Sequence, residues 1–469
     1  MEFYALLTAA TLVIALLAVA VFRQTRDIGT LLGTAALYYW SLFGAWYIVI
    51  DKTGGFSGKH YQYLETKMFP IVLDGDYMIS LCLYAAFIII LQLTLLITMP
   101  ESRERPLPRL QLRHEPIIVI GAIAAVGSVL LIRDKLSAAY VLHSSAYIYT
   151  RTQTDQWFTL HQVLNRVALI PSAIGLATLF AGDRSRYFVS VRRRYTLLGY
   201  ALVLGGMGLF TFLLGNKNEI LTALIAGLTA YVGSVRRPNW FKVALATAMG
   251  FWFLYAIEFF RGYPLAEMST AFTQHVGEAT EVGRFVTSSN EAYAAHFSMY
   301  GVLSKHIEPW FGYSIYSLVC SIVPRVLWPD RPRDIYLYYS ESVGTVQNQG
   351  YSLHHATGWY LNFGYLGVAL GAIVMGLVWG YCITARYRVR NKTGLRFRLF
   401  AIVAPWLFVA CLPPMLRAGP EAYKGLILEG ALIPVLVLMF SCRPRRKRRP
   451  ASQLHWNPSQ GWSLVRETS

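Results

Sequence analysis

The chain has 469 residues, of which 55% are hydrophobic and only 14% are charged, and its formal net charge is +18. Apolar blocks of roughly 17–25 residues recur along it, the length that crosses about 30 Å of hydrocarbon as a helix. Only helices and closed barrels satisfy the backbone in lipid, and alternating barrel strands are not seen, so the pattern predicts an all-α polytopic integral membrane protein. The basic residues lie in short loops beside these blocks, which favours contact with anionic lipid over nucleic-acid binding.

In chain order, the apolar blocks predict about eleven transmembrane helices. We place them at 3–22, 30–50, 77–99, 116–132, 160–181, 196–214, 219–235, 241–260, 361–384, 397–416 and 424–442. The first block starts MEFYALL with no positively charged segment before it, so we interpret it as a retained span and not as a cleaved signal peptide. The five cysteines show no CxxC or metal spacing and are interpreted as small apolar residues.

Basic residues occupy every second gap between the predicted spans. They cluster at 23–26, 103–113, 184–194, 236–237, 386–398 and 443–449. Under the positive-inside rule these gaps are cytoplasmic, which places the N-terminus outside and the C-terminus inside. We therefore predict one transmembrane domain over 1–442 and a basic, disordered cytoplasmic tail over 443–469. The external segments are then 51–76, 133–159, 215–218, 261–360 and 417–423.

The external segment 261–360 is much the longest, and its charges nearly balance. Six cations stand against eight acids: Arg261, Arg284, Lys305, Arg325, Arg331 and Arg333 against Glu267, Glu278, Glu281, Glu291, Glu308, Asp330, Asp334 and Glu341. Within it, 309–323 is apolar and aromatic but too short for a full crossing, which predicts an interfacial or re-entrant helix. No internal repeat is visible, which argues against a transporter built from two related halves.

Two arginines of this segment lie in a proline-stiffened loop, PRVLWPDRP (324–332), beside the membrane. Guanidinium forks match phosphate oxygens and stay charged at any pH, so Arg325 and Arg331 are candidates to bind a lipid-linked diphosphate. The alternative is that they only anchor an interfacial helix to lipid headgroups. Trp328 in the same loop and Arg284 in GEATEVGR are further substrate-binding candidates.

Three more cations lie at outer span ends. Lys217 stands in GNKNE, Arg261 follows EFF, and Arg417 stands in PPMLRAGPEAYK after a proline pair that is expected to break the span. A lone cation at a span end is usually a snorkelling anchor. Cations are disfavoured on the outer side, however, so several of them there favour a functional role. Together with Arg325 and Arg331 they are candidates to line one anionic pocket.

Histidines and aromatic residues precede the span that starts LNFGYLG. His354 and His355 are candidates for a general base or for hydrogen bonds to sugar hydroxyls. Trp359 and Tyr360 suit either an interfacial belt or stacking on sugar rings. Glu291, Glu278 and Glu281 are the other candidate bases, although exposed carboxylates are commonly just solvated. Too few ligands are found for a metal site.

At these residues the sequence resembles the O-antigen and oligosaccharide repeat-unit polymerases of bacterial cell envelopes. The similar features are a G-x-K/R element at a span junction (Gly215 to Lys217), the run PRVLWPDRP, the aromatic WYLNFGYLG before a span, and the late outer arginine of LRAGP. One departure stands out. Many relatives place a carboxylate just before the aromatic of the NFG element, whereas this chain has Gly358, which leaves the general base open.

The resemblance implies a membrane glycosyltransferase with a GT-C-like helical fold in the bacterial cytoplasmic membrane. The growing glycan on undecaprenyl diphosphate is the donor, and a lipid-linked repeat unit is the acceptor. The assignment puts the diphosphates on five cations, Arg325, Arg331, Arg261, Lys217 and Arg417. It puts the acceptor on His354, His355 or Glu291. No cofactor is expected, the lack of an acidic cluster argues against an obligatory divalent metal, and a flippase and a chain-length regulator are candidate partners.

Two alternatives remain open. A ligase would use the same lipid-diphosphate site but transfer the finished glycan to lipid A or to protein. A non-enzymatic flippase or lipid-glycan transporter predicts ionisable residues deep within spans. Only Glu258, Asp74 and Asp76 approach that description in the sequence, and all three lie close to an interface.

Overall fold

The computed structural model describes residues 1–55, 62–99, 109–152, 156–190, 195–275, 277, 291–321, 323, 327–328, 330–332, 334–345, 352–389, 394–444, 454–457 and 461–464. The helices are α1 (Glu2–Thr25), α2 (Ile28–Tyr38), α3 (Gly44–Lys52), α4 (Gln62–Lys67), α5 (Gly75–Thr98), α6 (His114–Val141), α7 (Ala146–Thr152), α8 (Gln156–Ala181), α9 (Thr196–Leu213), α10 (Asn218–Ser234), α11 (Trp240–Phe260), α12 (Met268–His275), α13 (Glu291–Ser304), α14 (Tyr313–Cys320), α15 (Ile335–Val343), α16 (His355–Arg388), α17 (Leu395–Leu416), α18 (Ala422–Lys424) and α19 (Ile433–Ser441). The strands are β1 (Leu110–Leu112), β2 (Phe188–Ser190), β3 (Cys442–Pro444), β4 (Leu454–Asn457) and β5 (Gly461–Leu464). A π-helical turn (Tyr39–Phe43) joins α2 to α3, and another (Gly425–Leu432) joins α18 to α19.

Among these residues, nine helices are long and apolar enough to cross a membrane. They cover Glu2–Thr25, Gly75–Thr98, His114–Val141, Leu160–Arg184, Thr196–Leu213, Trp240–Phe260, His355–Arg388, Leu395–Leu416 and Ala422–Ser441. The prediction of an all-α, multi-pass membrane protein is confirmed. The two other predicted spans are also helical, but one is interrupted by a π-helical turn, and α10 has only 17 residues. The count of eleven therefore stays a prediction.

Short polar residues start several of these helices. The Asp27 carboxylate accepts a hydrogen bond from the backbone N–H of Gly29 (2.9 Å) at the start of α2. Asp74 accepts from the N–H of Tyr77 (2.9 Å) at the start of α5, and Asn239 caps α11 in the same way. Such caps satisfy the first N–H groups of a helix, which have no partner within it. They set where each apolar run begins.

The interior consists of two large apolar clusters that α17 connects. One gathers side chains from α1, α5, α13 and α16, and the other from α6, α8, α9 and α10. Helix α17 contributes Phe408 and Leu412 to the first cluster and Leu399 and Leu407 to the second. Its buried faces explain why it is the most enclosed of the candidate spans. It is the central helix of the described bundle.

Large apolar side chains are exposed on the outer helices. Examples are Leu16 of α1, Ile123 of α6, Leu202 of α9 and Phe241 of α11. Soluble proteins rarely expose apolar surface on this scale, whereas a helix that faces lipid must do so. The exposed faces therefore agree with the membrane character of the bundle.

The basic loops lie together at one end of the bundle. Strand β1 pairs in parallel with β2 and antiparallel with β3, so it joins three of these loops. Ser185 forms a β-bridge with Val235, which adds the loop after α10. The Arg386 guanidinium forms an ion pair with Asp27 (2.7 Å) and lies over the Tyr187 ring. Each of the six basic clusters of the sequence, or a residue next to it, thus contacts another basic loop at this end of the bundle.

The long external segment differs from its prediction in one respect. Helix α13 is buried in the first apolar cluster, against α5 and the π-helical turn at Tyr39–Phe43. The segment predicted to be interfacial or re-entrant forms only α14, eight residues long, which exposes Ile315, Tyr316 and Val319 and buries Ser314. Eight residues extend about 12 Å, too short to cross. The interfacial placement of 309–323 stays a prediction, and the part of this segment that enters the protein core is 291–304.

Two further boundaries differ from the sequence analysis. Helix α17 continues through Pro413 and Pro414 to Leu416, so the expectation that the proline pair breaks the span is wrong. Neighbouring helices enclose this span, and such surroundings tolerate proline within membrane helices. In the predicted tail, β4 pairs antiparallel with β5, and the disorder predicted for 443–469 stays a prediction for the rest of the tail.

Candidate functional site

Residues 214–217 form a tight connection between α9 and α10, as the sequence predicted. Gly215 has φ +66°, a left-handed conformation that glycine adopts without strain. A Cβ at this position would lie 2.6 Å from the Cβ of Arg261, closer than side-chain atoms pack. Glycine therefore allows the end of α11 to approach the start of α10.

Glu258 joins Lys217 to Arg261. One carboxylate oxygen forms an ion pair with Lys217 Nζ, and the other lies 2.8 Å from Arg261 Nη2. The Arg261 guanidinium also lies over the Tyr147 ring, with its Cζ 5.0 Å from the centroid. The two cations are thus held in place, while one of their charges is compensated by Glu258. Charges in partly buried positions need such partners.

Arg417 extends this group from the end of α17. Its Nη1 donates to Asn218 Oδ1 (2.6 Å), and its Nε donates to Ser352 Oγ (3.2 Å). Asn218 directly follows Lys217 in the chain. We call Lys217, Arg261 and Arg417 the cation cluster. The structure therefore brings together three of the five cations that the sequence proposed for a diphosphate.

His354 lies in the protein interior and caps α16. The backbone N–H of Ala356 donates to its Nδ1 (3.1 Å), so Nε2 carries the hydrogen and donates to Ser41 Oγ (3.0 Å). Burial, and secondly the neighbouring His355 and His296, lower the pKa of His354 well below its usual value. A neutral, fully enclosed ring with both nitrogens engaged is suited to holding the fold.

His355 connects the start of α16 to the loop after α17. The Trp359 indole N–H donates to its Nε2 (3.1 Å), which leaves Nδ1 to donate to the carbonyl of Ala418 (2.9 Å). The ring is completely buried. His355 therefore positions the loop 417–421, and Trp359, which is also buried, supports it. For both histidines the role of general base stays a prediction that this geometry does not favour.

Glycine allows the same loop to pack on α16. A Cβ at Gly358 would lie 2.5 Å from the Cα of Gly419, and one at Gly419 would lie 2.7 Å from Glu421 Oε2. The space in front of Gly358 is thus filled by the backbone of the loop. The Glu421 carboxylate lies beside it.

Glu421 was missed by the sequence analysis. Its Oε1 accepts a hydrogen bond from the backbone N–H of Ile335 (3.1 Å), whereas Oε2 is buried and has no hydrogen-bond partner among the described residues. Burial raises the pKa of this carboxyl to about 7, the Ile335 N–H opposes that rise, and Asp334 adds to it. A carboxylate with such a pKa can both take and release a proton near neutral pH. The signal in the sequence was an acid within the short outer segment LRAGPEAYK.

Arg331 has no described contact with the cation cluster. Its Nη1 donates to the carbonyls of Ser321 and Val323 (3.0 Å each), which follow the C-terminal end of α14. This contact stabilises the end of α14, and both the diphosphate role of Arg331 and its alternative role as a headgroup anchor stay predictions. Trp328 is partly exposed in the same loop, and the Tyr360 ring packs edge-on against Tyr365.

Several predicted site residues cannot be placed. Arg325, Arg284, Glu278 and Glu281 lie outside the described residues. Glu291 begins α13, and its side chain is not described. Among the residues that are described, no group of three or more His, Cys, Asp or Glu side chains could hold a metal ion.

A cavity of about 200 Å³ borders the same loop. Arg166 of α8, Asn218 and Thr222 line it together with apolar side chains of α17 and the loop residues Ala418 and Ala422. Arg166 stands within a candidate span and was also missed, although the predicted span 160–181 includes it. An ionisable residue at such a depth is a functional candidate by default.

The site therefore combines fixed cations, a cavity and a carboxylate with a raised pKa around one loop, 417–421. Fixed cations stabilise negative charge that develops on a phosphate group, and a nearby carboxylate can accept a proton. No protein-family model, curated protein or solved structure matches the chain.

Proposed function

We propose that this chain is a membrane glycosyltransferase that polymerises oligosaccharide repeat units linked to undecaprenyl diphosphate. The product is a cell-surface polysaccharide such as O-antigen, capsule or exopolysaccharide. The observation that carries the proposal is the cation cluster. Three cations distant in sequence converge at one rim of a helical membrane protein, beside a carboxylate and a cavity.

The position of the cluster along the bundle supports this proposal. Helix α10 starts beside Lys217 and ends at Ser234, next to the basic loops, so its length separates the two ends by about 25 Å. Helix α17 likewise runs from the basic loop at 394–398 to Arg417. If the basic loops are cytoplasmic, the cluster faces outward at headgroup depth. A diphosphate attached to a membrane lipid lies at that depth.

The chemistry of the proposed reaction explains why cations are needed. The acceptor hydroxyl attacks the anomeric carbon of the donor's reducing-end sugar, and the lipid diphosphate leaves with the bonding electrons. Negative charge grows on the diphosphate in the transition state. Cations that are already held by Glu258, Asn218 and Ser352 stabilise it without having to reorganise.

The finer architecture belongs to the same proposal. We infer eleven spans, with α2–α3 and α10 added to the nine apolar helices, and a GT-C-like arrangement in the bacterial cytoplasmic membrane. The N-terminus is outside and the C-terminus is cytoplasmic. The side-by-side basic loops support this orientation, because cytoplasmic loops carry the excess of Lys and Arg.

Alanine substitutions test the cation cluster. Lys217→Ala, Arg261→Ala and Arg417→Ala are expected to reduce polymer by at least tenfold, because each removes a charge that stabilises the leaving diphosphate. The measurement is the polysaccharide ladder on a gel of envelope extracts, with protein level checked by immunoblot. Arg133→Ala is the matched control, since Arg133 is exposed and pairs only with exposed Asp134 among the described contacts.

The glycan pattern on a gel of envelope extracts from a strain that lacks the chain distinguishes a polymerase from a ligase. A single repeat unit left on the lipid anchor supports a polymerase, and long lipid-linked chains that never reach their acceptor support a ligase. Unchanged long polymer in that strain would refute the proposal. Full polysaccharide ladders in all three variants of the cation cluster would refute the assignment of the diphosphate site to these cations.

A lipid-glycan transporter has one observation in its favour, the cavity lined by Arg166 within a candidate span. A transporter predicts that the repeat unit stays on the cytoplasmic leaflet when the chain is absent. Accessibility of the lipid-linked repeat unit to an external glycosidase or lectin measures this. Externally accessible single units favour the polymerase.

A further inference from the structure

We infer that Glu421 is the group that takes the proton from the attacking hydroxyl of the acceptor sugar. The inference rests on the glycosyl transfer proposed above and adds the proton acceptor that the sequence left open.

Four elements converge on this carboxylate. The loop after α17 carries it, α15 donates the Ile335 N–H to Oε1, and α16 packs its Gly358 against Gly419. Helix α14 contributes Ser314, whose hydroxyl accepts a hydrogen bond from Asn362 Nδ2 (2.7 Å) and directs its own hydrogen to the carboxylate, which opposes the rise of the Glu421 pKa. A position defined by four elements is a rigid one, as a proton acceptor requires.

The two carboxylate oxygens differ in a way that suits this role. Oε1 already has a donor, whereas Oε2 is buried with no hydrogen-bond partner among the described residues. A buried acceptor without a donor costs free energy. A sugar hydroxyl is the donor that would complete it, and that hydroxyl is also the group that must lose a proton.

The loop that carries Glu421 also carries Arg417 of the cation cluster. His355 holds this loop through its bond to the Ala418 carbonyl. The loop thus presents a cation for the diphosphate and a carboxylate for the acceptor, four positions apart. That is the pair of groups that the reaction needs on one short, fixed segment.

The step balances as follows. The acceptor O–H bond breaks and its proton passes to the Glu421 carboxylate. The oxygen forms the new bond to the anomeric carbon, and the bond between that carbon and the diphosphate oxygen breaks. The lipid diphosphate leaves as an anion, and Glu421 later releases its proton to water. No oxidant, reductant or metal is required by this balance.

The charged and titratable surroundings predict how the rate depends on pH. Asp334 beside α15 acts with burial to raise the pKa of Glu421 to about 7, and Arg417 lies in the same loop. On α16 the titratable neighbour of the loop is His355, and on α18 it is Tyr423, 3.4 Å from the His355 ring nitrogen. Only the ionised carboxylate accepts a proton, so the rate should rise tenfold per pH unit below about 7 and level off above it.

The test uses the purified full chain and lipid-linked glycan extracted from a strain that lacks it. Glu421→Gln keeps an acceptor for the Ile335 N–H but cannot take a proton, so a purely structural role predicts normal activity. We expect a loss of about 100-fold or more, while Glu421→Asp retains part of the activity. The readouts are ladder formation and release of undecaprenyl diphosphate between pH 5.5 and 8.5.

Each outcome is informative. Ladder synthesis by Glu421→Gln within about threefold of the parent chain overturns the inference, as does a flat pH profile of the parent chain below pH 7. The second measurement needs no variant, so it holds even if Glu421→Gln fails to fold. No ladder from the parent chain itself contradicts the proposed function instead, which keeps the two failures distinct.

Discussion

At the scale of single residues, environment decides which acid–base group is available. His354 and His355 look like catalytic histidines in the sequence, but both rings are enclosed and both nitrogens of each ring are engaged. Glu421 looks like an ordinary loop acid, but the Ile335 N–H donates to its Oε1, and its own N–H and the Ser314 hydroxyl also stabilise the carboxylate. Its Oε2 is buried and has no hydrogen-bond partner within bonding geometry among the described residues. Burial acts in opposite directions on the two types, because it disfavours the charged form of each. It lowers the pKa of His354 and raises that of Glu421.

The raised pKa of Glu421 also predicts a pH-dependent stability. The folded chain holds this proton up to about pH 7, whereas the ordinary carboxyl releases it near pH 4.5. The stability that the protonated group contributes is therefore complete below about pH 4.5 and is lost as the pH rises to about 7. Glu421→Gln has no such titrating group. The free energy of unfolding of the variant minus that of the parent chain should therefore be larger at pH 8 than at pH 4.5, by on the order of 3 kcal/mol.

Thermal unfolding of the purified chain in detergent at pH 4.5 and pH 8 measures the difference. Glu267→Gln is the control, because Glu267 is an exposed carboxylate outside the loop 417–421. If the stability of Glu421→Gln differed from that of the parent chain by the same amount at both pH values, the raised pKa of Glu421 would be contradicted.

At the scale of elements, α16 is two helices joined by a kink. Phe363 and Gly364 depart from helical geometry, with Gly364 at φ +59°. The short first part carries His355, Gly358 and Trp359 against the loop 417–421, while the second part forms the span. The NFG element of the sequence analysis thus forms the kink between the short helix that packs on the loop 417–421 and the helix that forms the candidate span.

Packing of this short helix on the loop predicts a sensitive glycine. Gly358→Ala would place its Cβ 2.5 Å from the Cα of Gly419, so backbone must move. We expect a loss of roughly 1–3 kcal/mol in stability and a marked loss of polymer, since the loop carries Arg417 and Glu421. Gly205→Ala is the matched control, because a Cβ there meets nothing within 4 Å.

Apparent melting temperature and the envelope ladder report the two effects of Gly358→Ala. If the variant matched Gly205→Ala in both, close packing of α16 on the loop would not matter for the site.

At the scale of the whole molecule, the basic loops and the cation cluster lie at opposite ends of the same helices. Contacts between β1, β2 and β3, the Ser185–Val235 bridge and the Asp27–Arg386 ion pair gather the basic loops. Helices α10 and α17 carry the chain from that end to the cluster. The proposed topology therefore requires these ends to face different compartments.

Cysteine labelling tests this orientation in intact cells. Gly262→Cys, next to Arg261, should react with a membrane-impermeant maleimide added from outside. Gly394→Cys, before α17, should react only after the membrane is permeabilised. A Cβ at either glycine meets nothing within 4 Å, so both positions can accept a cysteine side chain without a clash. The reverse labelling pattern, or equal labelling of both, would contradict the orientation.

The sequence by itself determined the membrane class and most helix positions, and it predicted that the basic loops share one side. Lipid offers the backbone no hydrogen-bond partners, so each span must be a continuous apolar helix, and such a pattern is visible in local composition. The cations at span ends were visible for the same reason. Only the tertiary structure decided that Lys217, Arg261 and Arg417 meet, that the histidines are enclosed, that α13 enters the core and that Glu421 contacts Ile335. Contacts such as Arg417 with Asn218 join residues 199 positions apart, and Glu421 meets Ile335 across 86. Local periodicity carries no information on such pairs, because the packing of whole helices against one another determines them.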